Sequence, residues 1–581
     1  MTDPQPAPGL ARITAYQVPR SPTPVDLHLD GNEGLAPPAS VFDGLAAQDP
    51  ELLRRYPDAR GLGRRIADRL GVPADHLLVT AGADDAMDRL CRAVLAPGRN
   101  MVVPEPTFSM IERFVLLAGG DFVSVPWPGA TYPVDAVLAK VDDHTTCIAV
   151  VSPNNPTGAV ATARDVRRLC EAVPQAVVLV DHAYVEFGGE DLTRLATELP
   201  NVVVLRTLSK AWGLAGLRVG FAVARPELIG WLQTAGHPFA VSGPSLVLAG
   251  GWLDQGDPSM EAFVAEVRRE RPLLEQLLHR LGGRVAVSEG NFAFARFDDS
   301  LWVRDGLAGL GIGVRAFPGD PLLHDAVRIT CPGNREEFER LTHALHTVLA
   351  PEAILFDMDG VLADVSRSYR QATLDTVLHY GREITAEDIA AEIALGDANN
   401  DWVLSRRLLA KRGVNVSLGE VTQTFEALYQ GTADRPGKAG RPGLREQETL
   451  LVDPALLEGL RSRFRLGVVT GRPRADAERF LATHNITHFF DTVVCLGDAA
   501  SKPDPAPVRL ALEQLGVGCA WMLGDTPDDI RAARGAAVLP LGVTFQKDDP
   551  PHPNPVADAL LTAGAARVLR QPGELKELIH E

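Results

Sequence analysis

The sequence predicts an α/β chain made of two sheet-centred units in series. Three observations lead there. From about Leu27 onward, short runs of apolar β-formers alternate with helical patterns, the signature of parallel strands joined by crossover helices. Residues 225–350 are richer in helical pattern and hold few strand candidates, which reads as a smaller α+β lobe. At Pro351 the alternation starts again, with Ala353-Ile354-Leu355-Phe356 running into Asp357. The chain has 581 residues, too many for one core, so roughly two to four domains are expected.

Taken in order, residues 1–24 are proline-rich with little periodicity and read as an arm, extended or partly disordered. Strands are expected at His76–Thr80, Asn100–Val103, Thr146–Ser152, Val177–Asp181, Val202–Leu205 and Arg218–Ala222, in a largely parallel, doubly wound sheet. Two more are expected near Asn291–Phe297 and Ala326–Thr330 in the smaller lobe, so the first unit covers 25–350. The second covers 351–581, with strands at Leu466–Thr470, Thr492–Leu496 and Trp521–Gly524 and a mostly helical insert at about 367–455. The PGKAGRPG stretch at 436–443 reads as a loop.

The net charge is −18 with no basic tract, which argues against nucleic acid and anionic membrane as main partners. No apolar run is long enough to span a bilayer, and the N-terminus lacks the apolar core of a signal peptide. The six cysteines show no CxxC spacing, which suits free thiols in a reduced cytoplasm.

The chemistry centres on Leu205–Phe221, LRTLSKAWGLAGLRVGF. A lysine just past a buried strand can have its charge suppressed by desolvation, and the freed amine is the nucleophile that forms a Schiff base with pyridoxal 5'-phosphate (PLP). Ser209 and Arg218 offer a hydroxyl and a planar fork of N–H groups, which suit a phosphate. Asp181 ends a buried strand, where a carboxylate either caps a helix or pairs with a pyridine nitrogen. Ser152-Pro153-Asn154-Asn155 is a turn able to hold an amide beside a ring oxygen. Thr80–Asp85 is a strand-to-helix turn whose N–H groups can hold a phosphate.

Together with LDGNEG (29–34), RYPDARG (55–61), TAGADDAMD (80–88), PEPTFSM (104–110), SPNNPTG (152–158), VDHAY (180–184) and VRITCPG (327–333), this order resembles the fold-type I PLP aminotransferases, and within them the histidinol-phosphate aminotransferase family. The resemblance implies a large doubly wound domain with a small α+β domain. It makes Lys210 the residue that carries the cofactor and moves the proton. By the same resemblance Asp181 pairs with the pyridinium, Asn155 and Tyr184 bond the phenolate oxygen, and Phe108 stacks on the ring. Ala83, Asp84, Ser209 and Arg218 hold the cofactor phosphate, and Arg315 and Arg328 bind the substrate's anionic end. Tyr56 would reach the cofactor of a second subunit, implying a homodimer. His182 stands where the family usually has glutamate, and Phe108 where tyrosine is common.

In the second unit, Asp357 can attack phosphorus as a carboxylate, and Asp359 can protonate the leaving oxygen and later activate water. Asp525 and Asp529, in LGDTPDD, could converge on the same place, and carboxylates with phosphate oxygens suit Mg²⁺. Thr470 can bond the phosphoryl group and Lys502 can neutralise it. Four motifs in this order resemble the haloacid dehalogenase (HAD) superfamily over 351–581. The resemblance makes Asp357 the nucleophile and Asp359 the acid/base that marks a phosphatase. Mg²⁺ is then bound by Asp357, Asp525 and the Asp359 carbonyl, with Asp529 in support, and the insert is a small cap. The polar run Gly396–Trp402 reads either as a specificity loop or as an ordinary interhelical turn.

An aminotransferase suited to phosphorylated substrates, joined to a phosphatase, suggests consecutive steps: imidazole-acetol phosphate and glutamate to histidinol phosphate, then hydrolysis to histidinol. Two other readings stay open at this point. Both chemistries could serve another phosphorylated amino compound, or the HAD unit could be a regulatory module.

Overall fold

The computed structural model describes residues 4–17, 19–396, 400–432, 441–544 and 554–579. Its contacts divide the chain into two units. One is built mainly from Leu29–Ser300 and Val314–Glu339; the other combines Arg20–His28 and Leu301–Gly313 with Arg340–Glu581.

The first unit is organised on a seven-stranded sheet. Its strands run in the order Leu77–Thr80, Gly220–Ala224, Val202–Thr207, Val177–Asp181, Thr145–Val151, Asn100–Glu105 and Asp121–Pro126. Gly220–Ala224 is antiparallel to both neighbours, and the strands from Val202–Thr207 onward are parallel. Val202–Thr207 and Val177–Asp181 are buried at every position, because helices cover both faces of a parallel sheet, and this is why Val202–Leu205 and Val177–Val180 read as unbroken apolar runs. The helix Gly82–Val94 turns Ala86, Met87, Leu90 and Cys91 into that core.

The smaller antiparallel sheet of the first unit centres on Phe292–Arg296 paired with Ala326–Thr330. Arg315 lies opposite Arg328 on the adjoining strand.

Several expected boundaries move. The strand expected from Arg218 begins at Gly220, because Arg218 adopts a left-handed backbone (φ 52°) that no strand can continue through. His76 closes a 3-10 turn before its strand. The edge strand Asp121–Pro126 was not expected; it is mostly exposed or half-exposed and lacks an apolar run.

The second unit has a six-stranded parallel sheet. The order is Thr492–Val494, Arg465–Val469, Ala353–Phe356, Ala520–Gly524, Leu539–Val543 and Arg567–Leu569, the last two being additional to those expected. Among its described residues the insert holds four α-helices before residue 430, Tyr369–His379, Ala386–Ala394, Asp401–Lys411 and Leu418–Tyr429, packed around Val377, Leu404, Leu408 and Val421. Residues 433–440, which include most of the stretch expected as a loop, lie outside the described residues; among the described residues from 431 to 453 the expected helix is absent apart from the 3-10 turn Leu444–Gln447. Short strand pieces replace it, with Ala363–Asp364 pairing with Thr449–Leu450.

Residues upstream of 351 complete this unit's core. Trp302 packs edge-on against Trp521 (5.1 Å between centroids), and the Trp521 indole N–H donates to the Thr347 carbonyl at 2.6 Å. Among the described residues no helix is long and apolar enough to cross a membrane, and all six cysteines are unpaired.

Candidate active sites

Both candidate sites lie where parallel strands end at their carboxyl edge, the usual place for a site in an open α/β sheet. In the first unit, Asp181 is the last residue of Val177–Asp181, and Ser152 follows Thr145–Val151. Lys210 follows Val202–Thr207 by three residues.

Lys210 Nζ donates to the Gly31 carbonyl at 2.9 Å and lies 5.8 Å from the centre of the Tyr184 ring. The LDGNEG loop is pressed onto this turn, since a Cβ on Gly34 would meet the Lys210 carbonyl at 2.1 Å. The buried Asp181 carboxylate accepts from the Ala183 N–H (3.1 Å). Burial pushes its pKa up to about 7; the Ala183 N–H and Lys210 pull the other way. A buried carboxylate in this state calls for a cation, and a protonated ring nitrogen would supply one.

Arg218 reaches back to Asp84 at 3.2 Å. Its guanidinium fills the space beside Gly82, where a Cβ would meet Nη2 at 2.7 Å; Gly82 has a φ of 84°. Ala83 and Asp84 open the helix Gly82–Val94, whose first N–H groups have no partner within the helix. Ser209 is tied in by Thr207, whose hydroxyl donates to Ser209 Oγ at 2.9 Å. These groups form a cradle suited to a phosphate.

Arg328 is buried. It donates to Asn155 Oδ1 and to the Asp30 carbonyl, each at 2.5 Å. Burial, with Arg315 beside it, disfavours its charge. Asn154, the other asparagine of the turn, serves the loop itself by bonding Pro106, Thr107 and Thr157. Phe108 is half-buried and packs against the sheet's core cluster.

Tyr56 is not brought to this centre: it is 81% exposed and stacks on Phe239 (4.6 Å). His182 has a structural task. Its Nδ1–H donates to the Ser152 carbonyl, while Nε2 accepts from the Leu192 N–H (2.9 Å).

The sequence reading missed Asn32, whose Nδ2 donates to the Tyr184 hydroxyl at 3.0 Å and whose side-chain oxygen accepts from Thr330 at 2.9 Å. It also missed Tyr16 of the arm, which enters the electrostatic surroundings of Arg328. The arm is anchored nearby where Arg113 donates to the Thr14 carbonyl (2.6 Å).

In the second unit Asp357, Thr470 and Asp525 each follow directly on a parallel strand. Carboxylate oxygens of Asp357, Asp525 and Asp529 lie within 4.8 Å of one another, a hard-oxygen set suited to Mg²⁺. Lys502 Nζ donates to Asp357 (2.6 Å), to the Val469 carbonyl (3.1 Å) and to Asp529. Burial raises the pKa of Asp357, with Lys502 opposing, and raises that of Asp525 further; both need positive charge to ionise together. Gly360, at φ 74°, lets the loop pass Asp525, since a Cβ there would meet Oδ2 at 2.2 Å.

The Asp359 side chain is not part of the three-carboxylate set. Arg472 holds it, Nε to Oδ1 at 2.7 Å, and the same guanidinium donates to Glu448 at 2.9 Å. Thr470 is buried, and its hydroxyl accepts from the Arg472 N–H (3.1 Å).

The pocket is lined by Asp357, Asp359, Tyr369, Arg370, Asp401 and Asp525, among others. Sequence reading missed Arg472, two residues after Thr470, and Arg370, which sits 3.7 Å from Asp525. Of the polar run Gly396–Trp402, residues 397–399 lie outside the described residues. Asn400 caps the helix Asp401–Lys411, and the Trp402 indole donates to Glu426 at 3.0 Å.

These two centres define an enzyme with an aminotransferase-type cofactor site and a phosphoryl-transfer site. Residues 28–345 match the family "aminotransferase class I and II", and residues 351–537 match "haloacid dehalogenase-like hydrolase". The chain belongs to the aminotransferase class I and II family and carries a HAD-like hydrolase part after it. Both are enzyme families; the first uses PLP and the second Mg²⁺.

A histidinol-phosphate aminotransferase from Chlorobium phaeovibrioides is 35% identical over 346 residues, covering 58% of this chain and 95% of that protein. An imidazoleglycerol-phosphate dehydratase from Phytophthora nicotianae is 44% identical over 243 residues, 39% of this chain; the chain spans about half of that protein, 52%. The solved histidinol-phosphate aminotransferase from Sinorhizobium meliloti shares the fold at a TM-score of 0.51 and 24% identity, over 56% of this chain and 91% of that one.

Proposed function

We propose that this chain is bifunctional: it transaminates imidazole-acetol phosphate with glutamate to give histidinol phosphate, then hydrolyses that ester to histidinol. The reading is carried by one observation, that a histidinol-phosphate aminotransferase-like part and a HAD-like hydrolase part share one polypeptide. The dehydratase relative supports it. Loss of water from a glycerol-type diol leaves a ketone, the functional group a transaminase needs.

In this reading residues 25–350 form the aminotransferase, with 1–24 as its arm, and 351–581 the phosphatase, with its cap at about 367–455. PLP would supply the electron sink. Lys210 would hold it and move a proton at the substrate carbon. Asp181 keeps the ring nitrogen protonated, and Asn155 and Tyr184 hold its phenolic oxygen. Phe108 covers the ring face. Ala83, Asp84, Ser209 and Arg218 hold its phosphate, while Arg315 and Arg328 bind the substrate's anionic end. Tyr56, exposed on a single chain, would complete the site of the partner in a homodimer.

In the second site Asp357, Asp525 and Asp529, with the Asp359 carbonyl, would hold Mg²⁺, which would offset their charge. Asp357 attacks phosphorus, and the phosphorus–oxygen bond to the alcohol breaks. Asp359 gives the departing oxygen its proton and then takes one from the water that frees phosphate. Lys502 and Thr470 bind the phosphoryl oxygens. The free cysteines suit a cytoplasmic setting.

The test is phosphate release from histidinol phosphate with Mg²⁺. Hydrolysis supports the reading; no release from it, with brisk cleavage of some other ester, overturns the assignment.

A further inference from the structure

We propose that Asp401, on the cap side of the phosphatase pocket, selects phosphoric monoesters whose alcohol carries a cationic nitrogen. The inference deepens the proposed phosphatase reading and rests on it. Asp401 lines the same pocket as Asp357, Asp359, Arg370 and Asp525. Of the four carboxylates in this pocket, three have roles in the proposed reaction: Asp357 and Asp525 would hold the metal, with Asp357 the nucleophile, and Asp359 would serve the leaving oxygen. Asp401 has no such task.

Its position is set locally. Asn400 caps the helix by accepting from the N–H groups of Trp402 and Val403, which fixes Asp401 in the first turn. Among the described residues no side chain donates a hydrogen bond to it. The two nearby guanidiniums are engaged elsewhere, Arg472 by Asp359 and Glu448, Arg370 by Asp525. Burial pushes the Asp401 pKa up to about 6, with Arg370 opposing and Asp359 reinforcing. Among the described residues its one hydrogen-bond partner is its own backbone N–H; a partly buried carboxylate held so lightly is costly, and a substrate ammonium or imidazolium would relieve that cost.

The consequence concerns order. A transaminase turns a ketone into an ammonium on the carbon chain of the same phosphate ester. A pocket that needs that charge passes over the keto ester and cleaves the amino ester. The two sites would then act in sequence without any gate between them.

A purely structural Asp401 would only favour the helix N-terminus through its dipole. The two roles are separable with the full-length enzyme and Mg²⁺. Values of kcat/KM are compared for phosphoethanolamine and for its uncharged counterpart, ethylene glycol monophosphate, in wild type and Asp401→Asn. The expected result is a wild-type preference for the ammonium ester that falls by about tenfold or more in the variant, mainly through KM, with the uncharged ester changed by less than about twofold. Asp401→Glu is expected to recover part of the preference. Equal losses on both esters, or an unchanged ratio with a lower Tm, overturn the proposal. If histidinol phosphate itself is not cleaved but the ammonium preference and its loss are seen, the named substrate falls and the role of Asp401 stands.

Discussion

Arg472 donates through Nε to Asp359 at 2.7 Å and through Nη1 to Glu448 at 2.9 Å, so one fully buried guanidinium joins the catalytic loop to the segment that returns from the cap. Glu448 also accepts from Ser368 (3.0 Å) and Tyr429 (3.1 Å), and the guanidinium lies over the Tyr369 ring at 4.8 Å. Removing the cation leaves two carboxylates facing each other. Arg472→Ala is therefore expected to cost about 3–5 kcal/mol in the unfolding of the phosphatase unit, read from its denaturation midpoint. A midpoint equal to wild type contradicts this network.

Asp359→Asn should leave transamination intact and lower phosphate release by about 10²–10⁴-fold, the range for losing a positioned acid/base. Chelating Mg²⁺ should remove the same activity and spare the other. A variant that keeps wild-type phosphatase turnover would revive the regulatory reading of the second unit.

Asp181 makes a prediction of opposite sign for stability and function. Its pKa in the fold, about 7, lies above the ordinary 3.8, so cofactor-free protein loses stability as pH rises from about 4 to about 7. Asp181→Asn removes that loss. At pH 8 the cofactor-free variant should unfold at a higher temperature than cofactor-free wild type, yet bind PLP poorly and lack transamination. Thermal scans and the cofactor's absorbance band check both halves.

His182 gives a pH window. Burial pushes it down to about 4 from 6.5, and its neutral ring bridges Ser152 and Leu192. The unfolded chain takes up the proton first as pH falls. Stability therefore drops between about pH 6.5 and 4, by about 3 kcal/mol in total, and levels off below. His182→Asn should flatten the profile of unfolding free energy across that window. An unchanged slope would place the titrating group elsewhere.

How much of this was legible in the sequence depends on what holds each piece. Val177–Asp181, Val202–Leu205 and Ala353–Phe356 could be read because strands covered on both faces must be apolar throughout. The residues at their ends could be read because their chemistry is local. Asp121–Pro126 could not, since an edge strand is paid no such hydrophobic tax. The left-handed turn at Arg218 was hidden because a non-glycine residue gives no warning of it. Arg472 meets Asp359 across 113 residues, a pairing that only the folded sheet creates. Asp401 gains its meaning from a pocket wall supplied by distant strands.

The central claim is that one polypeptide performs both steps on one carbon skeleton. Purified enzyme should be given imidazole-acetol phosphate, glutamate, PLP and Mg²⁺, with 2-oxoglutarate, inorganic phosphate and histidinol followed together. The account predicts histidinol and equal amounts of 2-oxoglutarate and phosphate, with Lys210→Ala stopping all three and Asp357→Asn stopping at histidinol phosphate. Accumulation of histidinol phosphate by the unaltered enzyme, with no phosphate released, would contradict it.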